Sequence, residues 1–164
     1  MLTDEQLDVF MKVIAEDEVW CDFFYTELTT GLRRGEICGL KWEDFDEVNG
    51  TLKVCRTVYR EAGGGLTAGD TKTNASTRKI VLPASTVQIL HERKKSALTE
   101  WILPNPLKPE QPTNPGSAYR RLKVRLKRAG LPNIRFHDLR HPNVKPKTQI
   151  FSTFQKFNSI QSDY

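Results

Sequence analysis

At 164 residues, 38% hydrophobic and 27% charged, the chain suits one folded domain, able to bury roughly 70% of its unfolded surface. It lacks an apolar run of membrane-spanning length and a leader pattern in residues 1–10, and its odd set of Cys21, Cys38 and Cys55 has no C-x-x-C pair, which favours buried thiols in a reducing cytoplasm over disulfides or zinc ligands. The net charge of +5 hides an asymmetry: residues 1–50 carry 13 acids and 4 bases (−9) and residues 51–164 carry 7 acids and 21 bases (+14), which points to a polyanionic partner, nucleic acid before membrane lipid.

Thr3 followed by Gln6 predicts a capping box opening a first helix, with Leu7, Phe10 and Ile14 on one face. The acidic cluster Glu16–Glu18 separates it from a second helix over Val19–Thr29, with Val19, Trp20, Phe23, Phe24 and Leu28 directed inward. Gly31 can take the left-handed conformation that ends a helix, and a short third helix begins at the arginines that follow. Asn49–Gly50 marks a tight turn, after which Thr51–Tyr59 alternates as a strand with Leu52, Val54 and Val58 on one face. A mobile Gly63–Gly65 loop leads to a hairpin that carries Lys72, turns at Asn74–Thr77 and returns as the strand Arg78–Leu82, closed by Pro83. A helix is expected over Ser85–Leu98, and the proline-rich stretch Trp101–Pro115 reads as an extended loop. Ser117–Ala129 reads as a last helix stopped by Gly130, with Tyr119, Leu122 and Leu126 buried and an outer face of Arg120, Arg121, Lys123, Arg125, Lys127 and Arg128. That face suits either plain solvation or DNA phosphates.

Two motifs carry the chemistry. In TGLRRGE, Arg33 and Arg34 stand at a chain corner with Glu36 close behind and the core-type residues Ile37 and Leu40 after it. A guanidinium backed by a carboxylate there is suited to gripping a phosphate with two parallel hydrogen bonds, although surface charges and a helix-start carboxylate give the same pattern. In FHDLRH, His137 and Arg140 lie three apart on one helical face, an acid/base imidazole beside an anion-holding guanidinium. A zinc reading of His137 and His141 lacks the glutamate base and a third ligand, and places Arg140 beside the metal.

TGLRRGE, the lysine hairpin TKTNASTRKIVLP and FHDLRH, in that order, resemble the catalytic domain of tyrosine recombinases, the integrases of phages and conjugative transposons. The resemblance implies an α+β fold, mainly α-helical, with a small three-stranded antiparallel sheet. It also implies Arg33 and Arg140 as phosphate clamps, Lys72 as general acid for the leaving 5′ oxygen and His137 as acid/base near the nucleophile. Glu36 would support Arg33, His141 would be a neighbour of the site, and Arg34 falls on a variable position outside the chemistry. Family members cut a DNA phosphodiester through a 3′-phosphotyrosine, stabilising the transition-state charge with fixed guanidiniums. No metal or cofactor is then expected, and the expected partners are double-stranded DNA at a recombination site and further copies in a synaptic complex, not a membrane.

The likeness covers residues 1–141, without a preceding core-binding domain, and stops after His141. Pro142 and Pro146 interrupt the helix that the family continues, and the late tyrosine, Tyr164, is the final residue and a poor platform for a nucleophile. The expectation is therefore a domain at 1–141 with a divergent tail at 142–164, without strand cleavage of its own, acting in the cytoplasm. A second expectation is a non-catalytic DNA-binding module that keeps the phosphate-holding residues.

Overall fold

A computed structural model describes residues 2–70 and 77–139. In chain order the elements are α1 (Asp4–Ala15), α2 (Cys21–Thr30), α3 (Arg34–Cys38), β1 (Phe45–Asp46), β2 (Thr51–Val54), β3 (Arg56–Arg60), β4 (Leu66–Asp70), β5 (Arg78–Val81), α4 (Ala84–Lys95), β6 (Pro104–Asn105), β7 (Lys108–Pro112) and α5 (Pro115–Arg128). Short 3-10 turns lie at Trp42–Asp44 and Phe136–Leu139. The α+β class is as expected: the antiparallel sheet runs β1-β2-β5, beside two-stranded ribbons β3-β4 and β6-β7.

The helix ends follow local signals. Thr3 Oγ1 accepts from the Gln6 amide at 3.3 Å, and Gln6 returns its side-chain oxygen to the Thr3 amide at 3.0 Å. Gly31 (φ 60°) closes α2 and Gly130 (φ 66°) follows the end of α5, conformations that a Cβ would penalise. Asn114 caps α5 by accepting from the Gly116 amide at 2.8 Å, with Pro115 as the first helical residue.

Helix α2 is central, packing on α1, α3 and α4 with Phe23, Phe24, Tyr25 and Leu28 buried. Phe24 meets Phe10 of α1 edge-on, with ring centroids 6.0 Å apart. Phe23 meets Phe136 in the same manner at 6.4 Å, which fastens the Phe136–Leu139 turn to the start of α2. Gly35 lets α3 rest directly on β3: a Cβ there would lie 2.4 Å from Thr57 Oγ1 and 2.8 Å from the Val58 carbonyl. Gly35→Ala should therefore lower stability by about 1–3 kcal/mol, read as a lower urea midpoint, although alanine is the better helix former.

Several expectations need correction. The second helix starts at Cys21, not Val19, and Val19 is exposed. Thr51–Tyr59 is two strands: Leu52, Val54 and Val58 keep one buried parity, but β2 pairs with β1 and β5 while β3 pairs with β4. The break is stabilised by Arg56, which bonds Asp44, Glu43 (2.8 Å) and the Gly39 carbonyl (3.2 Å). Gly63–Gly65 belongs to the β3–β4 turn, closed by the Glu61 amide on the Gly65 carbonyl at 2.9 Å. Helix α4 ends at Lys95 and leaves Leu98 exposed.

The proline-rich stretch contains the ribbon β6-β7, where the prolines cost little because a two-stranded ribbon leaves outward amides unpaired anyway. Tyr119 is exposed, and Ala118 takes the buried position beside Leu122. The expected Lys72 hairpin and the 142–164 tail lie outside the described residues. No helix among the described residues is long and apolar enough to cross a membrane.

The basic face of α5 is also not what its sequence suggests. Arg125 is buried (7% exposed), not outward-facing, and its Nε donates to Asp17 Oδ2 at 2.6 Å. Arg121, one turn away, grips the same carboxylate through Nε and Nη2 at 2.8 and 2.9 Å. Burial alone would raise the Asp17 carboxyl, but the hydrogen bonds and charges of the two guanidiniums outweigh it and hold the group below the usual carboxylate range. Arg128 pairs with Glu16 at 3.0 Å, Lys123 bonds Asn133 and the Ile134 carbonyl, and Arg120 bonds Ser117 at 3.0 Å. Most of this positive charge thus fastens α5 to the rest of the molecule.

Candidate functional site

The site begins where α2 stops. Gly31 turns the chain, Leu32 buries its side chain (1% exposed), and Arg33 takes an extended backbone just before α3. Its side chain is therefore sent outward, 72% exposed, on a fixed stem. Glu36, 3% exposed, lies directly behind. One of its oxygens accepts the Arg33 amide at 2.8 Å, capping α3, and the Arg33 guanidinium stands 3.5 Å from the other.

Glu36 has a second partner, distant in the sequence. Arg78 of β5 donates through both terminal nitrogens, at 2.9 Å each, in a two-pronged pair. Burial on its own would raise the Glu36 carboxyl. The Arg78 hydrogen bonds, the Arg33 amide and both guanidinium charges reverse that, so the group stays ionised well into acid. The signal available in sequence was strand parity: Arg78 shares its face of β5 with the half-buried Ile80.

His137 reaches the same place from the far end of the chain. Phe136 is buried against Phe23 and turns the next side chain outward, leaving the His137 imidazole 61% exposed. Its Nε2 lies 3.1 Å from Asp138 Oδ1. Asp138 is held below the usual carboxylate range first by the Arg135 side chain and then by the Arg135 amide, which donates at 3.0 Å. The stretch FHDL forms a 3-10 turn, not the α-helical face that the spacing suggested.

Arg33, Arg34, Tyr119, Arg135, Phe136 and His137 line one open cleft of about 290 Å³. The structure thus brings Arg33 and His137 together, with Glu36 behind Arg33. Arg34, on a position expected to be variable, and Tyr119, expected in the core, line the cleft as well. Lys72, Arg140, His141 and Tyr164 lie outside the described residues. The arrangement can hold an anion beside an imidazole: several cations and the largely exposed His137 ring, with the Glu36 and Asp138 carboxylates each already paired.

Comparison with known proteins decides the lineage. The sequence model of the phage integrase family matches residues 1–143. The chain belongs to the phage integrase family. It is 27% identical over 151 residues to the ICEBs1 integrase of Bacillus subtilis, an alignment that covers 85% of this chain and 40% of that protein. Among solved structures, the Tn1549 transposon integrase in complex with transposon right end DNA superposes with a TM-score of 0.74 at 21% identity, over 99% of this chain and 60% of that one. A lambda integrase tetramer bound to a Holliday junction gives 0.57 at 20% identity, over 93% of this chain and 45% of its own. The fold is that of a tyrosine-recombinase catalytic domain, and the chain spans 40%, 60% and 45% of the lengths of these three integrases.

Proposed function

We propose that this integrase-family chain acts in DNA integration and site-specific recombination, binding double-stranded DNA in the cytoplasm and clamping the scissile phosphodiester in the Arg33–His137 cleft. In this reading Arg33 and Arg140 hold the phosphate, Glu36 aims Arg33, and His137 exchanges a proton near the attacking group. Lys72 protonates the leaving 5′ oxygen, and His141 supports the site. Copies of the chain assemble on the recombination site. The observation that carries the reading is that Arg33 and His137, from opposite ends of the domain, line the same cation-rich cleft. Guanidinium–phosphate bonds of this kind act by fixed electrostatics and require no added group.

The test is binding to a fluorescent recombination-site duplex. Arg33→Ala should raise Kd about tenfold to a hundredfold, the size expected for hydrogen bonds to a charged group. Binding that ignores salt, or an Arg33→Ala protein that binds like the parent, would sink the reading. The alternative of a DNA module held through α5 is disfavoured because Arg121 and Arg125 are committed to Asp17.

A separate expectation concerns Tyr164. Incubation with a nicked duplex should give no adduct that survives a denaturing gel, because prolines at 142 and 146 disfavour a continuous helix in the segment expected to carry a nucleophile. An adduct that is lost in Tyr164→Phe would show the opposite.

A further inference from the structure

Among the described residues, arginines that are partly or fully buried are matched to acids, with one exception. Arg56 pairs with Asp44 and Glu43, Arg78 with Glu36, Arg93 with Asp22, and both Arg121 and Arg125 with Asp17. Arg34 is half-buried as well, yet among the described residues it has neither an acidic partner nor a hydrogen-bond acceptor for its side chain. It is held by aromatic rings instead. Its guanidinium carbon lies 5.5 Å from the Tyr119 ring centroid and 5.9 Å from that of Phe136. Lys123, tied to Asn133 and the Ile134 carbonyl, sits 4.8 Å from the Tyr119 ring and steadies it.

Ring stacking fixes a guanidinium in position without using its in-plane N–H donors. Withdrawing a cation from water with those donors unmet is costly, and an anionic acceptor at the cleft would offset the cost. Arg34 lines the cleft occupied by Arg33 and His137, and it adjoins Arg33 in the chain. The long side chains of two adjacent residues that line one cleft can reach two phosphates that follow each other on a strand, which advance roughly 3.4 Å along the duplex axis.

We infer that Arg34, stacked on Tyr119 and Phe136, is a second phosphate-binding residue that takes the phosphodiester next to the scissile one on the same strand. The inference rests on the proposed function, since it assumes that Arg33 holds the scissile phosphate. Arg34 positions the strand and takes no part in bond breaking.

The experiment measures affinity for a short fluorescent duplex as a function of salt. Arg34→Gln should flatten the log Kd against log salt slope by about 0.9, the value of one phosphate contact. Arg34→Lys should keep the slope. Lys95→Gln, an exposed α4 residue paired with Glu92, serves as the surface-charge control and should leave it unchanged. In the unaltered protein, the Arg34 Nε–Hε resonance should shift when duplex is added, a readout that does not depend on any variant folding. If Arg33→Ala flattens the slope but Arg34→Gln does not, the inference fails and the Arg33 clamp stands; an unmoved Arg34 resonance overturns the inference alone. If neither variant changes the slope, the clamp itself fails.

Discussion

Asp17→Ala is expected to lower the unfolding free energy by about 3–5 kcal/mol, the usual cost of removing one partner of a buried ion pair. Asp17 is 2% exposed and is the shared acceptor for Arg121 and Arg125, and the Arg125 side chain is itself only 8% exposed. Without the carboxylate, a guanidinium remains in the interior with its Nε–H unmet. Against a total stability of about 5–15 kcal/mol for a domain, that is a severe loss. Equilibrium urea unfolding measures it. Arg121→Ala should cost far less, because Arg121 is part-exposed and Asp17 keeps Arg125. The pair Asp17→Leu with Arg125→Met should recover most of the loss, since an apolar pair of similar volume needs no desolvated charge. If Asp17→Ala unfolds at the parent's urea midpoint, the α1–α5 junction is not held by this triad.

Glu36→Ala should cost less stability, about 2–3 kcal/mol, because Arg78 is 38% exposed and can rehydrate once its partner is gone. Its larger effect should fall on DNA binding. The change frees the Arg33 amide and guanidinium together, so affinity for duplex should drop nearly as far as in Arg33→Ala, although Arg33 is still present. A variant that loses stability but keeps its DNA affinity would show that Glu36 braces the fold and not the clamp.

The same carboxylates set an acid limit. Asp17 and Glu36 are both depressed below their ordinary values in the folded state, so each binds fewer protons there than in the unfolded chain. Their stabilisation is fully present above the unfolded values, near pH 4, and is lost as pH falls through the lower folded values. Stability should therefore be flat with respect to these groups above about pH 5 and fall steeply below about pH 4. Glu36→Gln should make that fall shallower, which urea midpoints measured across the acid range will show.

Elements set by local physics are legible in the sequence alone. The Thr3–Gln6 box, the stops at Gly31 and Gly130 and the paired face of Leu52, Val54 and Val58 depend on a few consecutive residues, and they recur in the structure as read. Elements whose pattern fits two pairings are not so legible. The run from Thr51 to Tyr59 alternates without interruption, and only the choice of partner strands divides it at Cys55. The prolines between Trp101 and Pro115 suggested a loop because their cost depends on whether an amide needs a partner, and in a two-stranded ribbon it does not.

The candidate site divides along the same line. TGLRRGE and FHDLRH marked the family, the corner that sends Arg33 outward and the carboxylate behind it, all from spacing within a single segment. The partners of those residues came from elsewhere in the chain. Arg78 reaches Glu36 from β5, Asp17 withdraws Arg121 and Arg125 from an apparently free basic face, and Tyr119 and Phe136 hold Arg34 in the cleft. A sequence specifies which side chains carry charge and which backbone turns are cheap. Which charges neutralise one another, and which is left facing a ligand, is set by the packing of distant segments, because an ion pair forms only where both partners lose water at the same point.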